Sequence, residues 1–251
     1  MESVSGVFST VASACSNCRW ARFCSGRPAD GDGRAAAGGK VSACAMPLRR
    51  GTHLFRQGDE LKALFVVRSG SVKCYTDSED GCEQTVAFHF PGDLLGFDGI
   101  GHGMYPSSVV ALETTSVCTL PLPRALQVAL EPGAVGNDLM RAAAVQMIER
   151  QNHALLLGQK SAQARISAFL LGLSARYAAR GCSRTEFNLS MSRQEIANYL
   201  AVAVETISRL FSDLQRRGVL DVDRRFVKIL SLPRLQSMAH ESRVSGAAAG
   251  S

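Results

Sequence analysis

Three thiols stand within ten residues near the start of the chain, at Cys15, Cys18 and Cys24 in "CSNCRWARFC". Thiols this close can form a disulfide, bind zinc, act as a redox pair or ligate an iron–sulfur cluster. A second group of residues suits a different chemistry. In "VETISRLFSDLQRR", Glu205 and Ser208 are three apart and Glu205 and Arg209 four apart, so a helix carries all three on one face. Arginine can grip guanine O6 and N7 with two bonds, and glutamate can accept from cytosine N4, so that face suits base edges in a major groove. A carboxylate among phosphates is costly unless it reads a base, which makes Glu205 the informative member. The competing reading is a surface Glu–Arg ion pair, worth less than about 1 kcal/mol. Thr206, Arg193, Arg216 and the pair Arg224 and Arg225 suit phosphates better than bases.

To enter a groove, that face needs a helix-turn-helix. Ser192 is a natural N-cap, with Glu195 three residues on to complete a capping box. A short helix to Leu200, a turn over residues 201–203 and a second helix to Arg217, stopped by Gly218, complete the motif. Ile207, Leu210, Phe211 and Leu214 fall on the opposite, core-facing side. "VLDV" and "FVKIL" then flank Arg224-Arg225 as a winged hairpin. A structural helix pair without DNA is the plainer alternative, but here period, caps, spacing and charge agree.

Upstream, "SAQARISAFLLGLSARYAARG" reads as an amphipathic helix ending at Gly181. Before it, residues 137–159 form a longer helix in which Met140, Ala143, Met147, Arg150, Ala154 and Leu157 recur at alternating steps of three and four. Those steps are a coiled-coil seam, apolar except at Arg150, and suit a symmetric homodimer of marginal stability. A helix packed only on its own domain is the alternative.

Residues 47–123 change register to short strands with turns at Ser69-Gly70 and Pro91-Gly92-Asp93, the pattern of an antiparallel barrel or roll. Residues 26–44, rich in Gly, Ala and Asp and without periodicity, read as a flexible linker.

Charge agrees with the placement of the DNA face. Residues 160–240 hold 13 Lys/Arg and 6 Asp/Glu, or +7, so the rest of a chain of net +6 is near −1. A basic third on a near-neutral body is the footprint of a nucleic-acid module. No apolar run reaches the ~18–20 residues that span a bilayer, and the acidic second residue does not suit a secretory signal. A cytoplasmic protein without membrane contact is the expectation, and reducing conditions there favour metal or catalytic roles for cysteine. A Gly-rich phosphate loop, a carboxylate pair in a catalytic setting and a nucleophile–base pair are all missing, so an enzyme is not expected.

A roll, a long dimer helix and a winged helix-turn-helix, in that order, resemble the superfamily of the cyclic AMP receptor protein, and most of all its FNR branch. "GDELKALFVVRSGSVKCYT", "AFHFPGDLLGFDGIG", "ALETTSVC" and "VETISRL" carry the resemblance, which runs over about residues 49–234 and includes the cysteine cluster. It implies an α+β chain with an N-terminal antiparallel β-roll (a cupin-like jelly roll) as sensor. The divisions expected are a cysteine cluster and linker over 1–46, the roll over 47–135, a dimerisation helix over 136–160, the winged helix-turn-helix over 161–240 and a disordered tail over 241–251.

The same resemblance implies an oxygen-labile [4Fe–4S] cluster on four cysteines. The spacing C-x2-C-x5-C sets Cys15, Cys18 and Cys24 on three ligand positions, and Cys118 matches the fourth. It further implies a cluster-promoted homodimer on a palindromic site like TTGAT-N4-ATCAA, read by Glu205, Ser208 and Arg209, with RNA polymerase as a partner. A zinc or thiol-redox regulator of the same fold is the alternative. Arg19 and Arg22, between the ligands, either favour thiolates or solvate the loop.

Several positions depart from the branch. Pro106 stands where nucleotide-binding relatives use an arginine for the phosphate, so no cyclic nucleotide is expected. Arg150 replaces a usually acidic seam residue, and Cys82 an acidic residue in a loop used on RNA polymerase. The linker replaces a short amphipathic helix. His53, His89 and His102 lie in the roll, but no spacing among them supports a haem. Cys44, Cys74, Cys82 and Cys182 match no ligand position; Cys74 reads as core, and Cys44 as a spare or competing ligand.

Overall fold

Runs of β-branched and aromatic residues, cut at short intervals by glycine and proline, fold the first half of the chain into strands. The computed structural model of the protein describes Trp20 and residues 43–44, 47–78, 80–130 and 134–241. Its first eight strands are β1 (Ala43–Cys44), β2 (His53–Phe55), β3 (Ala63–Ser69), β4 (Val72–Asp77), β5 (Glu83–His89), β6 (Leu94–Leu95), β7 (Ser108–Ala111) and β8 (Ser116–Pro121). They form two four-stranded sheets, ordered β1-β8-β3-β6 and β2-β7-β4-β5, with antiparallel pairing throughout. The strand pattern predicts this roll, and both predicted turns are present. At Gly70 the φ of 78° and an approach that would set a Cβ 2.5 Å from the Thr114 carbonyl oxygen leave room for glycine alone.

One part of the linker reading needs correction. Ala43 and Cys44, read as the linker's end, form β1 and pair with Thr119 and Cys118 of β8. A two-residue strand has no periodicity to reveal it. Residues 26–42 lie outside the described residues, as does the tail beyond residue 241.

After β8 the chain enters α1 (Leu122–Leu130), which the sequence reading missed, and then α2 (Ala134–Gln159). Pro123 tolerates the first turn of α1 because that N–H has no helical acceptor anyway. Ala125 of α1, and Leu139 and Ala142 of α2, are buried in the core of the roll with Leu64, Val66, Val72, Leu94 and Leu120. Gln146 of α2 donates its side-chain amide to the Leu94 carbonyl at 2.5 Å.

The chain divides into two compact units, residues 1–146 and 147–251, with the division inside α2. In the second, Ser161 caps α3 (Ala162–Ala179), and Gly181, at φ 74°, follows its end. Then come β9 (Glu186–Asn188), α4 (Arg193–Tyr199), α5 (Val204–Arg216), β10 (Leu220–Asp223), β11 (Phe226–Ile229) and α6 (Leu232–Ala239). Strands β10-β11-β9 make the wing sheet, antiparallel at both pairings. Its hairpin turns at Arg224, which adopts φ 53°.

Candidate nucleic-acid interface and thiol strand

The first helix of the motif starts as its capping chemistry requires. The Ser192 hydroxyl accepts from Glu195 N at 3.2 Å, and the Glu195 carboxylate accepts from Ser192 N at 2.6 Å. Leu200 closes α4, and Ala201 takes the left-handed conformation, φ 51°, in the turn. Helix α5 then buries Ile207, Phe211 and Leu214 and leaves Glu205, Ser208 and Arg209 exposed on one face. Leu210 is half-buried at the boundary between those faces rather than in the core. The Ser208 hydroxyl donates to the Val204 carbonyl at 3.1 Å, so its acceptor lone pairs remain for a groove.

The residues expected to hold phosphates lie in varied surroundings. Arg193 lies with its guanidinium carbon 3.3 Å from the centroid of the Phe211 ring, and burial lowers its pKa to about 10. Its Nη1 is buried and makes no hydrogen bond with the described residues. That arginine clamps α4 onto α5. Arg216 and Arg217 both engage Asp213, at 2.6 and 2.7 Å, and Thr206 is half-buried. Arg225 donates to the Ser190 carbonyl at 2.9 Å and thereby ties the wing turn to the entry of α4.

A buried residue that sequence reasoning overlooked holds the motif from behind. The Arg165 guanidinium, 4% exposed, donates to the Leu200 and Ala201 carbonyls at 2.8 and 3.3 Å, and to Leu157 and Lys160 at 2.6 and 3.1 Å. It joins the end of α2 to the turn of the helix-turn-helix. An arginine on a mostly apolar helix face, with no acid at i±3 or i±4, was the available signal.

Of the four expected thiol ligands, Cys118 lies within the described residues and Cys15, Cys18 and Cys24 lie outside them. Cys118 is half-buried on β8, opposite Val66 of β3 on one side and Cys44 of β1 on the other. Among the described residues no three His, Cys, Asp or Glu side chains are placed to hold a metal. His53 bonds to the Tyr75 hydroxyl at 2.8 Å, His89 is buried, and His102 is exposed. Cys74 is buried, as expected, with its Sγ 3.0 Å from Ser107 Oγ.

Trp20, the chain's one tryptophan, sits between Cys18 and Cys24 in sequence and is 1% exposed in the core of the roll. Its indole N–H donates to the Gly92 carbonyl at 2.9 Å. Next to Gly92, Asp93 lies 3.6 Å from the buried His89 ring nitrogen. Burial works against the charged imidazole, but Asp93 and the Cys74 sulfur outweigh it and raise His89 to about 9.

A family model for the cyclic nucleotide-binding domain matches residues 45–131, and one for the Crp-like helix-turn-helix domain matches residues 164–238. The chain is 44% identical over 184 residues to the transcriptional activator protein FnrA of Stutzerimonas stutzeri, covering 73% of this chain and 75% of that protein. It is 42% identical over 197 residues to the fumarate and nitrate reduction regulatory protein of Escherichia coli K12, covering 78% of this chain and 79% of that one. The chain belongs to the FNR branch of the CRP/FNR transcription regulators. Among solved structures it is similar to FixK2 from Bradyrhizobium japonicum, with TM-score 0.71 and 28% identity over 79% of this chain and 97% of that chain. A CRP-family regulator from Thermus thermophilus, TTHB099, shares the fold at TM-score 0.63 and 24% identity, over 78% of this chain and 96% of that one.

Membership in the CRP/FNR family makes the chain a DNA-binding transcription regulator that works as a dimer. Its relatives regulate transcription and are not named as enzymes. In the single chain, Met140, Met147, Arg150 and Ala154 of the expected seam are exposed, while Ala143 and Leu157 are half-buried. Ile148 and Leu155 add exposed apolar surface along α2. Glu149, next to Arg150 in sequence, holds Arg176 at 2.7 Å. Among the described residues no helix is long and apolar enough to cross a membrane.

Proposed function

We propose that this regulator senses oxygen through a [4Fe–4S] cluster held by Cys15, Cys18, Cys24 and Cys118, and binds DNA as a cluster-promoted homodimer. One observation carries the reading: Trp20, Cys118, Leu139 and Ala142 pack into a single hydrophobic core. That core joins the tryptophan among the N-terminal cysteines, the strand with the fourth thiol, and the base of the seam helix. In sequence, Cys18 is two residues and Cys24 four residues from Trp20. Four thiols suit a closed cubane site, and Cys118, half-buried beside an apolar core, has the partial shielding such a site uses.

When bound, the cluster supplies a covalent tie between the N-terminal loop and β8. The chain's own residues supply the response. Trp20 bonds to Gly92, β8 runs directly into α1, and α1 and α2 share the roll's core through Ala125, Leu139 and Ala142. A shift in that packing changes how α2 presents Met140, Ala143, Met147, Arg150, Ala154 and Leu157 to a second copy. Dimerisation then doubles the DNA contacts, with the two recognition helices on half-sites like TTGAT, inverted about four base pairs. Glu205, Ser208 and Arg209 read bases, Thr206 and Arg216 border the backbone, and Arg193, stacked on Phe211, positions α4 against α5. The regulator acts in the cytoplasm and activates through RNA polymerase, with Cys82, exposed in the turn after β4, altering one contact loop.

Cyclic nucleotide is not the signal. Pro106 offers a phosphate neither charge nor donor, the adjacent Ser107 hydroxyl is engaged by Cys74, and Tyr105 stacks on Phe55 at 3.8 Å.

The test uses anaerobically reconstituted protein on an inverted TTGAT site, before and after air. Binding that is lost in air, with about four irons and four sulfides per chain beforehand and neither DNA binding nor iron in Cys118→Ser, supports the proposal. Air-stable binding with zinc at the thiols, or with no metal, overturns it in favour of a zinc or thiol-redox regulator.

A further inference from the structure

The β1–β8 ladder sets Cys44 directly opposite Cys118. Among the described cysteines this is the one pair in register: Cys74 faces Ala87 and Val109, while Cys82 and Cys182 lie outside the strands. Directly opposed residues of an antiparallel pair have Cα atoms about 4.5–5.5 Å apart, and disulfides span about 4.4–6.8 Å. The backbone therefore already meets the distance that most often forbids a cross-link. Cys118 is half-buried, so a small reagent can reach it, whereas Cys74 on β4 is 3% exposed.

We infer that Cys44 and Cys118 form a reversible disulfide when Cys118 is not holding a cluster, and that this bond bars Cys118 from rejoining the ligand set. The co-reactant is a low-molecular-weight disulfide. One protein thiolate attacks it, forms a mixed disulfide and expels one small thiol. The second protein thiolate attacks that mixed bond and expels the other. Two protein thiols are oxidised, one small disulfide is reduced to two thiols, and no other electron donor or acceptor is needed.

The consequence rests on the cluster reading above, but the bond itself does not. A regulator that has lost its cluster in an oxidising cell would be held in the apo form until thiol reductants recover. The register also sets a preference: Cys118 pairs with Cys44, ahead of Cys15, Cys18 or Cys24, because strand pairing sets these two residues opposite each other.

The experiment treats full-length apo protein with oxidised glutathione under argon, blocks remaining thiols by alkylation, and digests with trypsin and a Glu-specific protease without reduction. Residues 41–49 carry Cys44 and residues 114–124 carry Cys118, each as the sole cysteine of its peptide. The expected product is those two peptides joined, absent from Cys44→Ser and released by dithiothreitol. Oxidised wild type should take up less than a tenth of the iron and sulfide of the reduced protein, with full recovery after dithiothreitol. A Cys118 peptide that stays alkylated, carries glutathione, or joins residues 15–24 overturns the inference. The two readings fail separately. Reduced wild type that takes no cluster removes the sensor reading and leaves the cross-link standing; normal loading with no cross-link removes only the disulfide.

Discussion

His153 of α2 and Tyr199 of α4 stack face to face, with ring centroids 4.0 Å apart and planes 4° from parallel. The same imidazole donates from Nε2 to the Tyr199 carbonyl at 2.9 Å. One face of α2 is thereby held to the end of α4, within the second unit. Burial lowers the His153 pKa below 6.5, with Arg165 adding to the effect and the Tyr199 bond opposing it. The unfolded chain therefore takes up this proton first. The stability that depends on it is present above pH 6.5 and falls as the pH drops below that value. His153→Gln should lose about 1–2 kcal/mol in urea titrations at pH 7 and show a flatter stability profile between pH 7 and 5 than the parent.

Arg165 makes the other half of that connection, to the turn itself. Replacement by methionine keeps much of the volume but leaves the Leu157 and Leu200 carbonyls without their guanidinium donor. The expected cost is on the order of 3 kcal/mol in thermal or urea unfolding, since buried acceptors lose a charged partner. Arg165→Lys should recover only part of it, because one ammonium cannot span carbonyls that the fork reaches separately. Full recovery by lysine would mean that charge matters and geometry does not.

The sequence made the winged helix-turn-helix readable because each local signal acts over a few residues. The Ser192–Glu195 box, the turn over residues 201–203 and the stop at Gly218 all depend on near neighbours, as does the apolar stripe of Ile207, Phe211 and Leu214. The roll's strands and turns were legible for the same reason. What stayed hidden depends on partners far along the chain. Trp20 finds its acceptor at Gly92, β1 exists only through β8, and Arg165 is satisfied by carbonyls up to 36 residues away. Helix α1, opened by "LPLP", was masked by prolines that read as punctuation yet fit a first helical turn. Arg193 reads as a phosphate ligand from its place at the start of α4; its stack on Phe211 could not be inferred from spacing alone.

On DNA, two arginines of α5 should part company. Arg209→Ala should cost about 1–3 kcal/mol and relax selectivity at one G·C pair, measured by competition among half-site variants. Arg216 is already paired with Asp213. Arg216→Ala should weaken binding evenly across sequences and reduce the salt slope by about one at most. A uniform loss from Arg209→Ala would move that residue to the backbone class.

Arg150 is exposed on α2, and in the proposed dimer a two-fold axis would bring its copies together. Opposed like charges weaken a dimer, and the neighbouring Glu149 holds Arg176. Arg150→Ala should tighten the apo dimer by on the order of 1 kcal/mol, about fivefold, in sedimentation equilibrium at low salt. The difference should shrink as salt rises. An unchanged dimer constant would mean that Arg150 does not oppose its copy.

Trp20 offers the sharpest separation of sensing from folding. Trp20→Phe keeps an aromatic ring in the core and removes the N–H that Gly92 accepts, so its cost should be about 1 kcal/mol. Trp20→Ala empties a fully buried site and should cost the first unit about 3–5 kcal/mol. If Trp20 holds the cysteine loop to the roll, both variants should load iron and sulfide more slowly than the parent, in the order Ala below Phe below Trp. The DNA-binding unit should be untouched, since Trp20 belongs to the first unit. Its urea transition, followed through Tyr177 and Tyr199, should stay at the parent midpoint. Equal loading by all three proteins would show that the cysteines reach Cys118 without this anchor.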